Sequence, residues 1–207
     1  MNIAVIDLSD LWLCVLIGGT AVFLMSFLLR MVLKYHWSDY AALPDEEVMR
    51  AAIREAGIGA GQYVFPHCGG PEGMKDPEYV KSYERGPTGF LVLQEPGPFS
   101  FAKPLALSFC FNVLVSFLAA WMAVTFLDEG ADATKAGLFV GLIGFLAFSV
   151  SNTWGPIWKS EPWCVWGKEI FDGVVYGAAM AGVFVWLGPW GAGWARWAGI
   201  EGGMRGR

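Results

Sequence analysis

The stretch PLALSFCFNVLVSFLAAWMAVTFL, residues 104–127, holds no charged side chain and only two serines, a threonine and Asn112 as polar groups. A bilayer core roughly 30 Å thick is crossed by about 20 apolar residues of helix, each rising about 1.5 Å. The stretch meets that length, and a helix of this size in water would need a polar face. Working outward, residues 11–29 and 136–158 have the same character, with Lys103 and Lys159 standing only just outside the second and third spans. Residues 170–190 form a fourth span containing a single carboxylate, Asp172. The expected fold is an all-α membrane protein: a bundle of four transmembrane helices with a small cytoplasmic cap between helices 1 and 2.

Hydrophobic residues make up 55% of the 207, and aromatic residues 15%, which excludes a disordered or collagen-like chain. The net charge of -5 arises mostly between the first two spans. No basic stripe is present to neutralise phosphates, so nucleic acid is not an expected partner. No polybasic run is present to hold anionic lipid. The residues ahead of the first span include no Lys or Arg, unlike the basic start of a cleaved signal peptide, so that span is expected to be retained.

Lys and Arg set the expected orientation. Arg30, Lys34 and Lys103 border the long segment, and Lys159 and Lys168 border the turn between the third and fourth spans. These connections share one membrane face, which is read as cytoplasmic, in the inner membrane of a bacterium. Arg196, Arg205 and Arg207 near the C-terminus pull the other way.

The chain divides into a tail and helix 1 over 1–35, an extramembrane cap over 36–103, helices 2–4 over 104–190, and a Trp- and Gly-rich interfacial tail over 191–207. Within the cap, Pro44-Asp45-Glu46-Glu47 predicts a helix over about 45–56 ended by Gly57. Asp76-Pro77 predicts a second over 76–83, ended by Gly86-Pro87. Phe90–Leu93 has strand composition, whereas residues 59–71, rich in Gly and Pro, read as a loop. In the spans, Gly137 and Gly141, then Gly173, Gly177 and Ala181, put small residues every four positions, where helix backbones approach closely.

Chemistry centres on the fourth span. Lys168, Asp172 and Tyr176 follow at i, i+4 and i+8 and share one face. With the helix starting near Trp163, Asp172 lies roughly 13 Å in. An ionisable group at that depth ordinarily faces the bundle interior with a partner. One reading is a proton or ion relay; the blander reading is a Lys168–Asp172 pair that fixes helix orientation while Lys168 snorkels. Asn112 and Asn152 are the expected interhelical hydrogen-bond partners of Asp172. His36 is read as one of a group of interfacial aromatics.

His67-Cys68 is the only adjacent pair of soft ligands, and with Cys164 and Met74 it matches no metal framework. No metal or catalytic residue is predicted, and no hydrolase, metalloprotease, P-loop or dinucleotide fingerprint is present. Cys14 and Cys110 read as small apolar residues of the spans. Trp154, Trp158, Trp163 and Trp166 crowd one turn, and Trp190, Trp194 and Trp197 mark the tail at helical spacing. They suit an aromatic belt or a partner-docking surface.

Trp37-Ser-Asp-Tyr40, Tyr63-Val-Phe-Pro66, Gly86-Pro-Thr-Gly-Phe90, the Trp158–Trp163 stretch and Phe171-Asp-Gly-Val-Val-Tyr176 together resemble a group of small multi-pass bacterial inner-membrane proteins of unknown function. The resemblance spans most of residues 10–190 and implies topology without an activity, cofactor or catalytic residue. The expected function is a non-catalytic accessory or stabilising subunit of a larger bacterial membrane complex, respiratory or photosynthetic. Its expected partners are membrane lipids and other membrane subunits. No cofactor of its own is predicted; contact with pigment, lipid or quinone would come through partners. The alternative is a small proton-linked transporter or ion-conducting protein using Asp172.

Overall fold

The structure is a computed structural model that describes residues 8–128 and 131–190. In chain order the helices are α1 (Trp12–Phe27), α2 (Glu46–Glu55), α3 (Pro77–Arg85), α4 (Ala102–Phe126), α5 (Ala133–Phe148), α6 (Trp154–Trp158) and α7 (Trp163–Leu187). The strands are β1 (Gly61–Phe65) and β2 (Gly89–Leu93). Among the described residues, four helical stretches are long and apolar enough to cross a membrane: Trp12–Val32, Ala102–Phe126, Ala133–Trp158 and Trp163–Leu187. Ala41–Phe99 forms one compact unit, and the chain on either side of it forms the other.

In the helical unit α7 packs along both α5 and α1, while α4 closes against α1 and α5. Small side chains fill much of the core, Ala119, Ala120 and Ala123 of α4, Val22 of α1 and Val140 of α5, with Met180 and Phe184 of α7 also fully buried. The large apolar residues Leu24, Leu114, Trp121, Leu138 and Trp186 point outward and are exposed. In water this arrangement would forgo most of the available burial. Lipid tails are as apolar as leucine, so helices there gain by close backbone approach, which small residues permit. The apolar helices therefore face membrane lipid.

The α5–α7 contact is the tightest illustration. A Cβ added at Gly177 would lie 2.5 Å from the carbonyl oxygen of Gly141, and one at Gly141 would lie 3.0 Å from the carbonyl oxygen of Gly177. On the other side of the bundle, a Cβ at Gly19 of α1 would lie 2.7 Å from the Cα of Val113 on α4.

Two spans depart from regular helix. The first widens into a π turn over Leu28–Val32, with the Leu33 N–H donating to the Leu28 carbonyl at 2.9 Å, and stops at Lys34 in the left-handed conformation (φ 56). The chain then doubles back through a 3-10 turn, Tyr35–Asp39. The third span breaks after Phe148. Pro156 has no N–H and would crowd a carbonyl one turn earlier, and Ser149 donates its hydroxyl to the Phe145 carbonyl at 2.8 Å. A 3-10 turn over Val150–Thr153 carries the chain into α6.

In the second unit, Asp45 caps α2 by accepting the Val48 N–H at 3.1 Å, and the chain leaves through Gly57 at φ 66. Asp76 caps α3 by accepting the Glu78 N–H at 2.9 Å, with Pro77 in the first turn. Both helices lie where the capping residues placed them. The reading of Tyr63–Phe65 as loop is corrected: these residues belong to β1, paired antiparallel with β2, Val64 opposite Phe90. The error has a physical source, since the partner strand lies more than twenty residues away and Gly59, Gly61 and Pro66 dominate the local composition. None of residues 41–99 is buried.

Placing a branched side chain at the helix crossing tests the packing. Gly177→Val should lower stability by about 1–3 kcal/mol, read by denaturant titration in detergent. Gly182→Ala, with nothing within 4 Å of its Cβ position, should leave the titration unchanged.

Candidate polar intramembrane site

Asp172 is the tenth residue of α7, and its side chain is 1% exposed. One oxygen, Oδ2, gathers three groups. His36 lies with Nε2 at 3.0 Å, the Tyr176 hydroxyl donates at 3.2 Å, and Arg30 Nη2 stands at 3.4 Å. The other oxygen, Oδ1, is buried without a hydrogen-bond partner among the described residues. The fold supplies these groups from both ends of the irregular exit from α1. Arg30 sits within the π turn, and the reversal at Lys34 swings His36 and Asp39 back toward α7.

The network continues outward. His36 Nδ1 is 2.6 Å from Asp39 Oδ2. Lys168, one turn before Asp172, donates its ammonium to Asp39 Oδ1, to the Tyr35 carbonyl at 2.8 Å and to Ser38 Oγ at 2.9 Å. The Tyr35 ring lies against His36, centroids 4.4 Å apart, and edge-on to Phe171. Burial opposes the charge on Asp39, yet hydrogen bonds from Lys168 and His36, with their charges, outweigh it and hold its carboxyl below the ordinary value of 3.8.

Each ring nitrogen of His36 faces a carboxylate oxygen. Both contacts are hydrogen bonds when the three groups share two protons, as an imidazolium between carboxylates or as a neutral ring beside one carboxylic acid. The arrangement can pin the end of α1 to α7 and can hold an exchangeable proton. Among the described residues no set of three or more His, Cys, Asp or Glu side chains is grouped to hold a metal ion.

Of the residues singled out from the sequence, Lys168, Asp172 and Tyr176 do join one network. The expected Lys168–Asp172 pair is corrected: Lys168 reaches Asp39, and Asp172 is met by His36 and Arg30. The Asn112 and Asn152 amides are likewise not hydrogen-bonded to Asp172. Asn112 is buried in α4 with Nδ2 unpartnered, and Asn152 is exposed, directed at the Phe148 carbonyl at 3.5 Å. Arg30, His36 and Asp39 join the site without a spacing pattern in the sequence that marks them. The available signal was the need of a buried carboxylate for cations, with Arg30 and His36 at the matching end of the first span. The left-handed reversal at Lys34, which brings them in, has no glycine to announce it.

The tryptophans of the turn are laid out as two ring pairs. Trp154 and Trp158 stack at 6.4 Å and are exposed. Trp163 meets Trp166 edge-on at 5.5 Å, and Trp166 donates its indole N–H to Thr153 Oγ1 at 3.0 Å. Trp190 packs half-buried against the core. Trp194 and Trp197 lie outside the described residues, as does the whole interfacial tail over 191–207. Cys14, Cys68, Cys110 and Cys164 are all free thiols, with Cys14 buried.

No family model, curated protein or solved structure matches this chain.

His36→Leu should lower stability by about 1–3 kcal/mol at neutral pH, because the Asp172 and Asp39 carboxyls each lose a hydrogen-bond partner. Asn112→Leu, which removes an amide donor that has no partner, should cost less in the same titration. The folded-state value of Asp39 lies below its unfolded value. Its contribution is therefore complete above the unfolded value, near 3.8, and is lost as pH falls through the lower folded one. Thermal unfolding followed across that acid range should show a flatter pH dependence in Asp39→Asn.

Proposed function

We propose that the protein is a non-catalytic accessory or stabilising subunit of a larger bacterial inner-membrane complex, respiratory or photosynthetic, with the segment between its first two spans on the cytoplasmic side. One observation carries this reading. Residues 41–99 hold two capped helices and a paired hairpin, yet none of them is buried. Ordering a residue's backbone costs roughly 1–2 kcal/mol, which burial of apolar side chains ordinarily offsets. A structured segment without a core draws that compensation from contact with another surface. The exposed Trp154, Trp158 and Trp163 add a second sticky surface, of a residue type enriched at binding hot spots. Detergent extraction of native membranes followed by native electrophoresis tests the reading. The chain should migrate in a particle larger than itself; migration as a lone monomer or homo-oligomer would overturn it.

A second reading has its own observation in favour. The linked side chains of Asp39, His36 and Asp172, beside an unpartnered buried Asp172 Oδ1, suit a proton-linked transporter or ion-conducting protein. Under that reading Asp172→Asn, folded to the same thermal midpoint, abolishes proton flux in reconstituted vesicles. Unaltered flux in the folded variant would remove the reading.

A further inference from the structure

Cross-strand partners point to the same side of a sheet, so Gln62, Val64, Phe90 and Val92 form one face of the β1–β2 hairpin. Val64, Phe90 and Val92 are 40%, 53% and 65% exposed. Neither strand contains a charged residue, and the sheet stops at two strands among the described residues. One edge of each strand therefore meets no further strand. Edges left open to water are ordinarily blunted by charge, proline or a bulge, and a lone hairpin is marginal in water.

We propose that this apolar face and its open edge dock on a partner protein whose surface is apolar at the centre and basic at the rim. The proposal rests on the accessory-subunit reading and names the chemistry of the partner. Charge selects the occupant. Residues 41–99 contain nine Asp and Glu against five Lys and Arg, with Glu95 two residues after the end of β2. Anionic headgroups repel such a segment, and a second copy brings the same excess of negative charge. A basic rim complements it and sets the register of approach.

Amide hydrogen exchange of Gly61–Phe65 and Gly89–Leu93 provides the test, measured on the full chain in native membrane vesicles and again after purification into detergent. Docking slows exchange in the vesicles by about tenfold or more. High salt, or the substitution Val92→Asp, restores the fast rate while α4 exchange stays unchanged as the folding control. Equally fast exchange in both preparations overturns the proposal, and so does protection indifferent to salt. Slow exchange of the purified chain in phosphatidylglycerol nanodiscs assigns the face to lipid and overturns it. Protection that rises with protein concentration in detergent assigns the face to a second copy and overturns it as well. A chain that migrates in a large native particle while the hairpin exchanges fast leaves the accessory reading standing and removes this one. A chain that migrates alone removes both.

Discussion

Close approach of α5 to α7 is the contact on which the rest of the helical unit depends. Lipid offers no hydrophobic reward for bringing two apolar helices together, so association comes from dispersion at short range. Gly141 and Gly177 make that range accessible, because a Cβ at either position would press on the carbonyl of the other. With α7 fixed on α5, its opposite side takes α1, where Gly18 lies against Met180 and Phe184 and where Ser116 of α4 also arrives. At each of these crossings a glycine admits the neighbouring helix, while most of the large apolar side chains are left on the outside.

The position of α7 in turn decides what meets Asp172. A carboxylate enclosed in such a bundle carries a large desolvation cost unless donors surround it. The exit from α1 provides them through two irregularities, a π turn holding Arg30 and a left-handed reversal returning His36 and Asp39. π turns recur at functional sites because they re-aim side chains without ending the helix. Arg30, half-exposed at 47%, contributes a screened charge. His36, almost enclosed, links the buried carboxylate to Asp39 and through it to Lys168. The network lies near one end of the bundle. In the middle of the bundle, Asn112 and Ser116 have polar atoms without partners among the described residues.

The second unit is shaped by caps and strand pairing instead of close helix approach. Its helices begin at Asp caps and stop at glycines of positive φ, a grammar of backbone satisfaction that needs no partner. Its hairpin does need one, since Val64 and Phe90 meet only across strands. Every residue between 41 and 99 remains at least partly accessible. Local signals can shape such a segment, but they leave its apolar faces uncovered, and the functional reading turns on that deficit.

Hydropathy and length alone determined the four spans, and capping residues alone determined α2 and α3, because both are properties of a single stretch of chain. The shared face of Lys168, Asp172 and Tyr176 was equally legible from helical spacing. Tertiary structure decided the rest. It paired β1 with β2, turned Lys168 away from Asp172 toward Asp39, and delivered Arg30 and His36 to the buried carboxylate. Each of those outcomes joins residues far apart in sequence or rests on a backbone reversal that no local residue type encodes, so only the packed chain could settle them.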